Sequence, residues 1–169
     1  MRTSIALLSV IFLSTSALAG PRDNQTVTVG PWAITTHYKT DKFESCTMSR
    51  SAGELGITFV RSQDGLVALL DSPKWKLNKG KAYPVRLVAG SRSIDAQALA
   101  ETKNVTIALE DPRLNSTLRV VNIFEVRGAG ATLRVPLDGS AAAFERLETC
   151  FGKRETAETN PFVAPSRKP

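Results

Sequence analysis

Short stretches of alternating apolar and polar residues dominate this chain, and a period of two marks strands with one buried face. The first, Thr26-Val27-Thr28-Val29, is broken by Gly30-Pro31, after which Trp32-Ala33-Ile34-Thr35-Thr36-His37-Tyr38 resumes an extended pattern. A polar turn over 39–42 leads into a strand on which Cys46 and Met48 share a face. Residues 56–61 and 66–71 flank Ser62-Gln63-Asp64-Gly65; Asp-Gly between two such runs predicts a hairpin, because glycine tolerates positive φ. Alternation returns at 83–88, where Pro84 implies an edge or a strand start, at 93–98 after Gly90-Ser91, and at 104–110. Residues 122–127 and 131–137, on either side of Gly128-Ala129-Gly130, make a further hairpin.

Two places switch to helical signals. Asp111-Pro112 reads as an N-cap and a first helical residue, with about two turns following. Ser140 is placed as a second N-cap, with Asp138 near the positive end of the dipole. Ala143, Phe144, Leu147, Cys150 and Phe151 then fall on one helical face. Gly152 is the predicted stop, and residues 153–169, with three prolines, read as a flexible tail. The sum is a mainly β fold, α+β by strict count. Eight or nine short strands form an antiparallel β-sandwich or partly open barrel, with one C-terminal helix packed on it.

The first residues alter the picture by assigning a compartment. Arg2, the apolar run 5–13 and Ala17-Leu18-Ala19 have the order of a secretory signal, so residues 1–19 are expected to be removed. The apolar run is too short for the roughly 20 residues that span a bilayer. Residues 20–152 are then expected to be a single β-rich domain without a transmembrane segment, periplasmic or secreted. In such a compartment the two cysteines, Cys46 and Cys150, are expected to form a disulfide. A formal net charge of +6 permits anionic partners but is too weak to imply nucleic acid.

Candidate chemistry is sparse. His37 is the single histidine, and no glycine-flanked nucleophile accompanies it. Glu110-Asp111 adjoin a helix start, which capping explains, and Glu145 and Glu148 fall on the exposed face of the last helix. Two cysteines and one histidine do not make a zinc site, so no catalytic residue, metal or cofactor is assigned. Lys74-Trp75-Lys76-Leu77-Asn78-Lys79-Gly80-Lys81 is the most unusual composition, with four lysines around one tryptophan. Lys74, Trp75, Lys76, Lys79 and Lys81 are therefore the candidate patch for an anionic polymer or a membrane surface. The plainer alternative is a solvated loop whose Trp75 covers the core, with a turn at 78–81. Three Asn-x-Ser/Thr acceptor patterns start at Asn24, Asn104 and Asn115, and they carry little weight alone.

Gly30-Pro31-Trp32-Ala33-Ile34 followed by Cys46-Thr47-Met48-Ser49-Arg50 resembles the start of the invasion-associated locus B family, small exported proteins of alphaproteobacteria. Thr36 stands near where that family often has another cysteine. The close, from Leu137-Asp138-Gly139-Ser140 to Cys150, is more similar to other exported envelope proteins of such bacteria. The resemblance implies an exported, β-rich, non-enzymatic envelope domain linked to host association, and it transfers no catalytic residue. The expected function is a binding or structural module of the bacterial cell envelope, its partner an envelope protein or an anionic polymer. The alternative is a small cell-wall-acting hydrolase or an inhibitor of one.

Overall fold

The computed structural model describes residues 24–40 and 42–159, with side chains up to residue 153. The predicted signal over 1–19 lies outside the described residues, as does the chain from 160 onward. The elements in chain order are β1 (Gln25–Val29), β2 (Trp32–Lys39), β3 (Lys42–Ala52), β4 (Leu55–Ser62), β5 (Gly65–Asp71) and β6 (Ala82–Ala89). Next come β7 (Arg92–Ala100), β8 (Asn104–Ala108), α1 (Pro112–Leu118), β9 (Ile123–Arg127), β10 (Thr132–Pro136) and α2 (Ser140–Thr159). The fold is mainly β, as expected, with one strand more than the upper expectation.

All the strands join one antiparallel sheet in the order β1-β2-β3-β4-β5-β8-β7-β6-β9-β10. Its two edges, β1 and β10, are not paired with each other, so the sheet is an open one. The predicted hairpin glycine, Gly65, has φ +122°. Pro84 stands at the start of β6, and the β9 ladder covers only Arg86 to Ala89, so the missing N–H interrupts no bond to β9.

Inward-facing residues of both halves of the sheet meet in a single core that includes Trp32, Met48, Phe59, Leu87, Phe124 and Phe144. Between the two edges, the corner after β10 docks on the β1–β2 turn. The Trp32 Nε1–H donates to the Asp138 carbonyl at 2.9 Å. Gly139, with φ +68°, lies so close to Pro31 that a Cβ there would approach the proline Cδ to 3.2 Å. The Arg50 guanidinium lies over the Trp32 ring, 5.3 Å from its centroid, and pairs with Asp138 at 3.6 Å. That pair is too long for a hydrogen bond, and Arg50 Nε and Nη1 have no hydrogen-bond partner among the described residues.

The last helix covers the other half of the sheet, packing on β1 to β4. Ala143, Phe144, Leu147 and Phe151 are buried, as their spacing predicts. Phe144 meets Phe59 edge-on, with centroids 5.0 Å apart. A bulge between His37 and Tyr38 shifts the β2–β3 register and leaves Glu44 without an opposite residue. It corrects the alternation, so that Phe43 and Cys46 face α2 together although they are an odd three positions apart. Cys46 and Cys150 are disulfide-bonded, with Cα atoms 6.2 Å apart and 104 residues of separation.

Two expectations about α2 are corrected. Gly152 does not stop it, because the helix runs on to Thr159, so the tail predicted from 153 begins as helix. A single interior glycine weakens a helix by about 1 kcal/mol relative to alanine, too little to end one already docked by four apolar side chains. Pro161, whose ring disfavours helix in the residue before it, is the first strong stop in the sequence. Ser140 opens the helix as expected, but its hydroxyl donates to the Leu118 carbonyl and so ties α2 to the end of α1. At α1 the Asp111 side chain accepts from the Leu114 N–H at 2.7 Å, as the Asp-Pro signal predicts.

Candidate functional site

The lysine-rich stretch between β5 and β6 is an ordered loop strapped to the β7–β8 turn. The Leu77 N–H donates to the Thr102 carbonyl at 3.0 Å, the Gly80 N–H to Ala100 at 2.7 Å, and the Ala100 N–H to Lys81 at 2.9 Å. Asn78 to Lys81 forms the predicted turn, closed by the Lys81 N–H on the Asn78 carbonyl at 3.1 Å. Gly80 supplies the positive φ, +79°, that the third turn residue needs. Along this loop Trp75 and Leu77 are half-buried against the core, whereas Lys74 and Lys76 are exposed.

Within the candidate patch of Lys74, Trp75, Lys76, Lys79 and Lys81, two of the lysines face acids. Lys74 pairs with Glu54 at 2.6 Å and Lys79 with Glu101 at 2.9 Å, so an acid already faces each of those charges. All four partners are well exposed, and such pairs contribute little stability. The Lys81 ammonium sits 4.9 Å above the centre of the Tyr83 ring. No ion pair joins Lys76 or Lys81 to an acid among the described residues. The loop contributes two things, an apolar wall and one lysine on a tyrosine.

That wall bounds a hollow of about 440 Å³, within the roughly 300–1,000 Å³ typical of small-molecule sites. Trp75, Leu77, Tyr83, Val85, Val126 and Leu133 line it, and the small β9–β10 turn of Gly128 to Ala131 forms one lip. The inward positions of β7 are Ile94, Ala96, Ala98 and Ala100, and of these Ala98, with only a methyl group, lines the hollow. Ala98 pairs with Tyr83, and Ala96 with Val85. A larger side chain at Ala98 would take up this room, and a concave apolar site of this size is a usual place for a ligand. The alanines were visible in the alternation, but a period-two pattern records only that a position is apolar, not how much space it fills.

The remaining candidates are dispersed. The His37 ring is at hydrogen-bond distance, 3.0 Å, from the Thr47 hydroxyl and does not line the hollow. Thr36 pairs across the strands with Cys46, and its hydroxyl lies 3.3 Å from the Cys150 sulfur. Glu148, expected on an exposed face, instead accepts from Arg61 at 3.4 Å and from Arg119 at 3.1 Å. These guanidiniums lie over the rings of Phe151 and Phe144, so one carboxylate organises two cations on the aromatic stripe of α2. A polar cleft of about 530 Å³ opens beside them. On the strand surface Asp95 accepts from the Arg86 guanidinium at 2.9 Å, a bond that raises the arginine pKa above its ordinary value.

Among the described residues no group of three or more His, Cys, Asp or Glu side chains is placed to hold a metal ion. No helix among them is long and apolar enough to cross a membrane. Compared with family models, curated proteins and solved structures, the chain matches none of them.

Proposed function

We propose that this chain is an exported, non-enzymatic binding module of the bacterial cell envelope that takes an apolar group into the hollow between the β5–β6 loop and the β9–β10 turn. The observation that carries the proposal is the hollow over Ala98, walled by Trp75, Leu77, Tyr83 and Val85. Aromatic and aliphatic walls with few polar groups suit binding. Support for export comes from the signal-like order of residues 1–19 and from the Cys46–Cys150 bond, since disulfides persist in oxidising compartments. The resemblance to the invasion-associated locus B family favours the envelope as the setting.

The test is uptake of N-phenylnaphthylamine, a neutral fluorophore that brightens in apolar surroundings. Saturable uptake, with energy transfer from tryptophan that Trp75→Phe removes, is the expected result. No uptake, together with turnover of an ester or peptidoglycan substrate by the purified protein, overturns the proposal in favour of a hydrolase. Fractionation of cells tests the location. A periplasmic or secreted chain starting at Gly20 is expected, and an uncleaved cytoplasmic chain refutes export.

A further inference from the structure

The hollow has a tyrosine on its wall and an ammonium on that tyrosine, and this combination points to the class of ligand. Resting on the binding-module proposal, we infer that the site takes a single-chain anionic amphiphile as a free monomer. Its aliphatic tail lies over Ala98, and its carboxylate or similar head lies at Lys81.

Tail and head follow from different observations. The side chains of Trp75, Leu77, Tyr83, Val85, Val126 and Leu133 are apolar except for the Tyr83 hydroxyl and the Trp75 N–H. β7 contributes only the methyl group of Ala98 to the lining, which leaves room for an unbranched tail. The head is argued from charge. Of the four lysines on the loop, Lys74 and Lys79 already have acids, and Lys76 alternates to the face away from Trp75 and Leu77. Only Lys81 combines a charge unmatched by any acid among the described residues with contact to a lining residue, 4.9 Å above Tyr83. Its backbone is fixed by Ala100 and by the Asn78 turn, so the flexible side chain starts from a set point next to Tyr83. One cation beside one apolar trough matches one anionic head on one tail. A polyanion would instead need several unmatched lysines in a row, and the two acids break that row.

Intrinsic fluorescence reads the site, because of the two tryptophans Trp32 is fully buried in the core and Trp75 lines the hollow. Purified protein is titrated below the micelle concentration with dodecanoate, dodecanol and dodecyltrimethylammonium, and separately with phosphatidylglycerol vesicles. Dodecanoate is expected to saturate the Trp75 signal with about fivefold higher affinity than dodecanol, the scale of one partly exposed charge pair. The cationic analogue is expected to bind more weakly still. Lys81→Gln brings dodecanoate to the dodecanol level, while Lys76→Gln, an equal change in net charge, leaves it unaltered. Ala98→Leu fills the trough and weakens every chain at least tenfold, with melting temperature checked to show that the variant folds.

Equal affinity for dodecanoate and dodecanol in the unaltered protein overturns the inference and leaves the binding-module proposal standing. Vesicle binding without saturable uptake of monomer also overturns it, in favour of a membrane surface. If neither the chains nor N-phenylnaphthylamine bind, the inference and the proposed function fall together.

Discussion

Replacing Cys46 and Cys150 by alanine is expected to remove most of the stability of this fold. The bond closes a loop of 104 residues. In the chain-entropy treatment such a loop restricts the unfolded ensemble by about 4.7 kcal/mol at room temperature. Cys46 is fully buried, so losing its sulfur adds roughly 1 kcal/mol from the void left behind. At about 3 °C per kcal/mol for a chain of this size, the melting temperature should fall by roughly 15–20 °C. The mechanism predicts more than a magnitude. Because the constraint acts on the unfolded chain, the native far-ultraviolet dichroism should not change. The denaturant m-value should rise, since the unlinked unfolded chain exposes more surface. The two sulfurs also differ in access. A reductant must attack Cys150, which is half-buried, and would expel the Cys46 thiolate into the core, where burial disfavours the anion. Reduction of native protein should therefore run no faster than global unfolding. A loss below about 2 kcal/mol in guanidinium titrations of the double variant, or rapid reduction of the native bond, would refute this reasoning.

Other perturbations isolate single contacts. Gly139→Ala forces a Cβ onto a left-handed residue against Pro31 and should cost about 1–2 kcal/mol by denaturant titration, whereas Gly128→Ala, whose Cβ would meet nothing closer than 3.7 Å, should cost less. Phe144→Ala removes the ring that meets Phe59 and should lose about 3–5 kcal/mol, read as a lowered denaturation midpoint. Asp111→Ala deprives the Leu114 N–H of its acceptor and should cost about 1 kcal/mol; Asp111→Asn, which keeps an acceptor oxygen, should recover most of it.

Most of the strands were legible because they bury one face, and that face writes itself into the sequence with a period of two; β1 alternates as well, though only Val29 of it is half-buried. Asp111-Pro112 and Asp64-Gly65 were legible for a local reason, since their side chains and φ angles decide structure within four residues. The pairing of Cys46 with Cys150 needed no geometry, because there was no third cysteine to consider. What escaped depended on distant partners. Gly152 looks like a stop until the four apolar anchors before it are seen docked on the sheet. Glu148 looks like a surface acid until β4 and the end of α1 bring Arg61 and Arg119 to it. Two lysines of the loop look unpaired until Glu54 and Glu101 arrive from other turns. The hollow was hidden for another reason. Alanine counts as apolar in any pattern, and only the fold reveals that nothing larger fills the space above Ala98.

The position of the second cysteine orders the events that make the native molecule. A polypeptide that emerges N-terminus first, from a ribosome or through a pore, presents β1 to β4 long before the residues that cover them. Phe59 must wait for Phe144, Trp32 for the carbonyl of Asp138, and Cys46 for a sulfur 104 positions behind it. Until those late residues appear, the early hairpins have no lid and no covalent anchor. Because Cys150 follows the last strand in the chain, the bond to Cys46 can close only after every strand of the sheet has been made.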